Sequence, residues 1–336
     1  MEFKYSLSIL FSNVGYAVRT FLWILLSLLL ALGLGAAIVL PVWDVLCATT
    51  DVGAYAMAIK DCLTGVWDGS QTIRFMLANI IDHLIDIVNA LSQNVGAAVG
   101  LFFVGAFVYA FYCFVFGLSY YTLAYVINNL MASNMRVGFA SAMALNFKKC
   151  VKYSAARLTI TLPIDFVIVT VMASIVLGLF RCIGFFMVPI ALVVGVVLCS
   201  LRATLLAGWL PRMLFHGEER VYTAFTRSLT YVKSNVAGLF KSYAITFALV
   251  YMFVTTLSVP TGGLLSIVLP SIYYFMLRAI ELIGYYKTKG LSFYTDATTV
   301  INTVEFGYRD EQQEDENNPH YQDTDDAQIS IDELED

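Results

Sequence analysis

From Phe21 to Pro41 the chain carries no Asp, Glu, Lys or Arg. The run is about 20 residues long, the length that crosses the hydrocarbon core of a bilayer. Lipid offers no partner to backbone N–H and C=O groups, so such a segment is confined to a helix or a closed barrel. Five further stretches meet the same test. Val95–Phe116 is uncharged, with a helical pattern that continues through Tyr120–Met131. Leu158–Phe180 is interrupted by Pro163 and Asp165. Ile183–Leu201 follows after little more than Arg181, and Tyr243–Val259 ends at the turn signal Pro260-Thr261-Gly262-Gly263. Leu264–Tyr286 returns from that turn. Composition agrees: 59% of residues are hydrophobic and 13% charged, with a mean hydropathy of +0.74, whereas soluble domains carry about 25% charged residues. The expected fold is all-α, a polytopic membrane protein of about six transmembrane helices with interfacial amphipathic helices on the cytoplasmic side.

The formal net charge of −5 conceals a split. Residues 305–336 hold 13 acids and one Arg, a net of −12, which leaves +7 on residues 1–304. Cations orient a polytopic chain, because loops rich in Lys and Arg stay on the cytoplasmic side. With the N-terminus inside, sixteen Lys/Arg fall on inner segments and three (Lys60, Arg74, Arg181) on outer ones, with Arg278 within the last span. The expectation is a bacterial cytoplasmic membrane with both termini inside and anionic lipids at the inner face. The first span reads as retained, since a cleaved signal core is usually 7–15 residues. Asp44 three positions before Cys47 does not suit a lipoprotein site. Residues 1–290 are read as the membrane domain, including an outer segment at 44–94. Residues 291–336 are read as a cytoplasmic acidic tail, disordered from about 305.

An internal repeat runs through the membrane domain. Ser12-Asn13-Val14-Gly15 before the first span matches Ser234-Asn235-Val236-Ala237 before the fifth, and Ser6-Leu7 matches Ser228-Leu229 at the same offset. A third copy, Phe139–Arg157, keeps the plan with Phe139, Met143, Phe147 and Val151 interleaved with Lys148, Lys149 and Lys152. Such segments suit helices lying in the interface, with cations toward anionic headgroups. Three units of interfacial helix plus transmembrane pair resemble the YciC-like bacterial membrane proteins and the membrane domain found beside some glycerophosphodiester phosphodiesterases. Ala224, Ser228, Lys233 and Asn235, and the stretch Gly138-Phe139-Ala140-Ser141-Ala142, carry the likeness. The chain departs from it in an outer segment of some 50 residues and in having no room for a phosphodiesterase barrel of about 250 residues. The resemblance implies an architecture and no activity.

The outer segment shows one helical stripe, Ile73, Leu77, Ile80, Leu84, Val88 and Leu91, with Asn79, Asp82, His83, Asp86 and Asn89 opposite. Asp82, His83 and Asp86 lack a third or fourth ligand at a diagnostic spacing, so a solvated polar face is expected rather than a metal site. Cys47 and Cys62 lie in this segment, where an oxidising compartment permits a bridge; two free thiols are the default. Within the spans, ionisable groups should face protein or water. Asp165 follows the helix-interrupting Pro163 and reads either as a proton or cation site or as a structural partner of Arg157 or Arg202. Arg278 and Glu281 stand at i,i+3 and can pair on one face.

No HExxH, GxSxG, GxxxxGK or CxxC motif occurs, and no cofactor is expected. The inner loop Arg202–Lys241 is not similar to an importer coupling loop. The basic residues are explained by orientation, so nucleic-acid binding has no support. The expected role is non-enzymatic, in membrane organisation or as the partner of another protein, with the tail segment Ala327–Leu334 as a candidate docking motif. The alternative is a small-solute or ion transporter using Asp165, with Arg278 and Glu281 along the path. A lipid-active enzyme is a third class without a visible catalytic set.

Overall fold

The computed structural model describes residues 2–43, 46–47, 50–69, 73–184, 187–217, 220–257, 264–296 and 298–302. The helices are α1 Glu2–Ser12, α2 Val14–Val39, α3 Val52–Trp67, α4 Ile73–Gln93, α5 Val95–Ser133 and α6 Phe139–Leu145. They continue with α7 Phe147–Ile183, α8 Met187–Leu206, α9 Trp209–Phe215, α10 Val221–Leu257 and α11 Leu264–Thr288. Two-residue strands, Phe293–Tyr294 and Val300–Ile301, form a small antiparallel ladder after α11.

Among the described residues, five segments are long and apolar enough to cross a membrane: Val14–Val42, Val95–Ser133, Phe147–Leu179, Met187–Phe215 and Val221–Val254. The sixth expected span is present as the 25-residue α11 but is not one of the five. It carries Arg278 and Glu281, and from Phe275 to Tyr286 it is almost entirely buried. The chain is a multi-pass helical membrane protein.

The six long helices close a ring. Each packs on the next in the order α2, α5, α7, α8, α10, α11, and α11 returns to α2 while also touching α5. The ring is inside out relative to a soluble bundle. Its outer surface exposes Leu22, Leu29 and Leu32 of α2, Phe102 and Phe103 of α5, Val167 and Val169 of α7 and Val193 of α8. Its interior holds tyrosines, arginines and carboxylates. Apolar surface on this scale marks an interaction face on a water-soluble protein; on a bundle in lipid it is the solvent-facing side. Tight packing then carries association, since lipid tails are as apolar as leucine. At Gly117 of α5 an added Cβ would collide with Ser154 Oγ of α7 and lie 3.2 Å from Ser154 Cβ. Ser154 in turn donates to Phe114 O at 2.6 Å, locking the two helices at that closest approach.

The first helix and the end of α11 share one end of the ring. There α1 lies across α11 and α10. Lys287 Nζ sits 2.9 Å from Glu2 Oε1, and Ser242 Oγ donates to Glu2 Oε2 at 3.1 Å. Lys287 beside it draws the Glu2 carboxyl below its usual range, overcoming the opposing effect of burial, the largest single influence. Tyr5 packs edge-on against Phe293, ring centroids 5.8 Å apart, and Phe293 is fully buried. Packing on the helical bundle therefore continues past residue 290, at Phe293. Residues 303–336, the acidic tail and its Ala327–Leu334 motif, lie outside the described residues.

The repeat acquires a physical marker. α1 breaks from α2 at Asn13, whose Nδ2 donates to Ile9 O four residues back at 3.1 Å. α6 breaks from α7 at Asn146, which donates to Ala142 O at 3.1 Å. Asn235, the match of Asn13 in sequence, makes the same backward bond to Tyr231 O at 3.5 Å but sits inside a continuous α10. The expected inner loop Arg202–Lys241 is mostly helical: α8 continues to Leu206, Gly208 turns the chain with φ +86, and α9 follows. The Tyr231 ring packs where a Gly208 Cβ would be, 2.9 Å away at one carbon. Only glycine serves both demands.

Candidate functional site

Four helices send a polar stripe into the ring. On α7 the buried residues Tyr153, Arg157, Thr161 and Asp165 recur every four positions, one face of a 3.6-residue helix. On α11 Tyr274, Arg278 and Glu281 share one face at spacings of four and three, with Tyr274 partly buried; on α5 the half-buried Cys113 and the buried Phe116 and Tyr120 follow the exposed Tyr109, and α8 contributes Arg202. Arg278 lies roughly 20 Å along α11 from Leu264 at the helical rise, deep within the bundle.

The structure brings the sequence-predicted residues into two pairs. Asp165 faces Arg202 across the α7–α8 interface: Arg202 Nη2 donates to Oδ2 at 2.7 Å and its Nε lies against Oδ1. Tyr109 Oη on α5 donates to the same Oδ2 at 2.9 Å, so Asp165 ties three helices together. Arg278 and Glu281 form an ion pair within α11, with Glu281 1% exposed. Opposite charges about 4 Å apart attract by about 4 kcal/mol at an effective dielectric of 20, comparable with the several kcal/mol each ion loses on leaving water. Each pair is therefore close to neutral for stability while intact, and costly when one member is removed.

Arg157 stands apart. It is 7% exposed and its guanidinium stacks 3.9 Å from the centre of the Tyr120 ring, with Arg278 5.0 Å from that ring. Among the described residues it has no carboxylate partner. Three arginines against two carboxylates leave the interior with one excess positive charge, held by the aromatic face. Tyr274 supports that face, 5.5 Å from Tyr120 and 4.5 Å from Phe116.

Sequence reasoning missed Tyr109, Tyr120 and Tyr274; of the two partners it offered Asp165, the structure pairs it with Arg202 and leaves Arg157 stacked on Tyr120. The signal for α7 was present: Arg157, Thr161 and Asp165 are spaced i, i+4, i+8. For Arg202 and Tyr109 no local signal exists, because their meeting with Asp165 depends on ring order.

Between the first two spans, α3 and α4 pack as a pair. His83 Nδ1 lies 3.8 Å from Asp86 Oδ2, and no three potential ligands gather among the described residues. Asp86, with Asp51, Asn89, Thr50 and Tyr55, lines an open polar cavity of about 430 Å³. Leu84 and Val88 of the apolar stripe are exposed; the side chains of Ile73, Leu77 and Leu91 lie outside the description. Cys47 and Cys62 stand as free thiols, Cys62 buried.

No protein-family model matches this chain, and no curated protein or solved structure matches it significantly.

Proposed function

We propose that this multi-pass protein is a non-enzymatic component of a bacterial cytoplasmic membrane, both termini cytoplasmic, serving membrane organisation or a protein partner. The observation that carries the reading is the engagement of both interior carboxylates. Asp165 is held by Arg202 and Tyr109 across three helices and Glu281 by Arg278 within α11, so neither carboxylate stands free along a path. The orientation rests on the Lys/Arg bias. The three-unit plan supports the likeness to the YciC-like proteins, as a statement about architecture. The exposed Leu84 and Val88 suit α4 to the outer leaflet surface, and the acidic tail is the segment offered to a partner.

A transporter reading is favoured by one observation, the unpaired charge of Arg157, and that charge suits an anion rather than a cation relayed by Asp165. Flux into liposomes carrying the purified full chain separates the two. The scaffold reading expects chloride, phosphate and proton flux equal to that of empty liposomes. Flux lost in Asp165→Asn or Arg157→Gln would overturn it.

A further inference from the structure

At the first of the repeat junctions lies an open surface pocket of about 320 Å³, lined on one side by Ser12, Asn13, Gly15, Tyr16 and Arg19 and on the other by Arg136, Val137 and Gly138. We infer that this pocket is a site for a phosphate group, clamped between Arg19 and Arg136 and carried by an anionic phospholipid. Its two walls come from different units of the repeat and are fixed to each other, because Tyr16 Oη donates to Val137 O at 2.8 Å. The pocket thus lies between the start of α2 and the loop 134–138 that follows α5, which this hydrogen bond ties together. Two features give it its chemistry.

The first is charge without compensation. Arg19 and Arg136 are exposed, and among the described residues neither has a carboxylate partner. The Arg19 guanidinium lies 5.3 Å from the Tyr16 ring centre, beside the wall that Tyr16 shares with Val137. Guanidinium edges are suited to paired hydrogen bonds with phosphate oxygens, where a lysine would offer a point charge. The second is room. The pocket's volume of about 320 Å³ admits a group of headgroup size, and Gly15 puts no side chain into it, with Ser12 and Asn13 among its lining as neutral hydrogen-bonding groups.

Position selects a lipid as the source of the phosphate. The pocket sits where α1, a helix with exposed Phe11, hands over to α2, whose exposed Val14, Val18 and Leu22 begin the apolar outer surface. A phosphate at that level would have its acyl chains alongside α2. The same clamp would also accept free inorganic phosphate. The inference rests on the reading that this end faces an anionic leaflet. That reading has its own check: protease applied to intact cells should leave the tail uncut.

The test uses the full chain in nanodiscs of mixed phosphatidylglycerol and phosphatidylcholine, released into detergent and weighed by native mass spectrometry, with and without added inorganic phosphate. The wild type should keep phosphatidylglycerol over phosphatidylcholine. Arg19→Gln/Arg136→Gln, two surface changes, should lose about tenfold or more of that preference. Lys148→Gln/Lys152→Gln, which removes the same charge from neighbouring basic surface, should keep it. Retention of phosphate mass alone would keep the clamp and assign it to the free ion. Equal loss in both double variants, or no anionic species on the wild type, would overturn the site, and neither result depends on which way the protein faces in the cell.

Discussion

Replacing Asp165 by asparagine keeps the shape of the side chain and removes its charge. Arg202 then loses the partner that both of its donor groups face, and the interior goes from one excess positive charge to two. Breaking a buried pair by deleting one member costs about 3–5 kcal/mol. The Arg202 side chain is 26% exposed, so the lower figure, about 3 kcal/mol, applies. At 2–4 °C per kcal/mol for a chain of this class of size, the unfolding midpoint in detergent should fall by roughly 6–12 °C, read from intrinsic tryptophan fluorescence. Arg202→Met should cost less, because an orphaned carboxylate can take up a proton whereas an orphaned guanidinium cannot release one, and Arg157 is two turns away on the same face. Asp165→Leu/Arg202→Met should recover most of the loss, since an apolar pair of similar volume removes both charges together. If Asp165→Asn melts with the wild type, or if the double variant is as unstable as the two single losses combined, the ion pair does not hold the α7–α8 interface.

Two further outcomes follow from the packing. Gly117→Ala forces a methyl group against Ser154, whose Oγ is fixed by its bond to Phe114 O, and should cost about 1–3 kcal/mol. Adding Ser154→Gly should relieve it, and a Gly117→Ala protein of unchanged midpoint would show that α5 and α7 are not locked there. At the end of the ring, the Glu2 carboxyl is held below its ordinary value of 4.5 by Lys287, so the ionised form is the one bound. The pair's contribution, about 1 kcal/mol after screening, is complete above the unfolded value and fades as pH falls through the lower folded one. The wild type should therefore lose stability below pH 4.5 in a step that Glu2→Gln and Lys287→Met both flatten; an unchanged acid limb in both would place the docking of α1 elsewhere.

How much was legible in the sequence follows from how local each signal is. The uncharged run at Phe21–Pro41 needs no tertiary contact to be read, nor does the i,i+3 spacing of Arg278 and Glu281, and both are seen in α2 and α11; Pro163 was expected to interrupt its span, whereas α7 runs through it unbroken. The match of Ser12-Asn13 to Ser234-Asn235 was legible, but Asn146 was not. Its copy shares the backward hydrogen bond and not the neighbouring letters, and a hydrogen bond is a property of three-dimensional junctions. The long inner loop was misjudged for a related reason: Arg202 and Arg212 looked like loop residues by charge, while the helices they occupy, α8 and α9, pack against α10.

The sequence by itself determined that the chain crosses a membrane several times in helices, because the cost of an unpaired backbone group in lipid leaves a 20-residue apolar run almost no alternative. It also fixed where the charge lies along the chain. Only the tertiary structure decided which charges meet. Asp165 chose Arg202 over Arg157, and Arg157 was left stacked on Tyr120, because the order of helices around the ring sets α8 against α7 and turns α5 inward. Pairing across helices is a matter of distance in space, and a sequence records distance only along the chain.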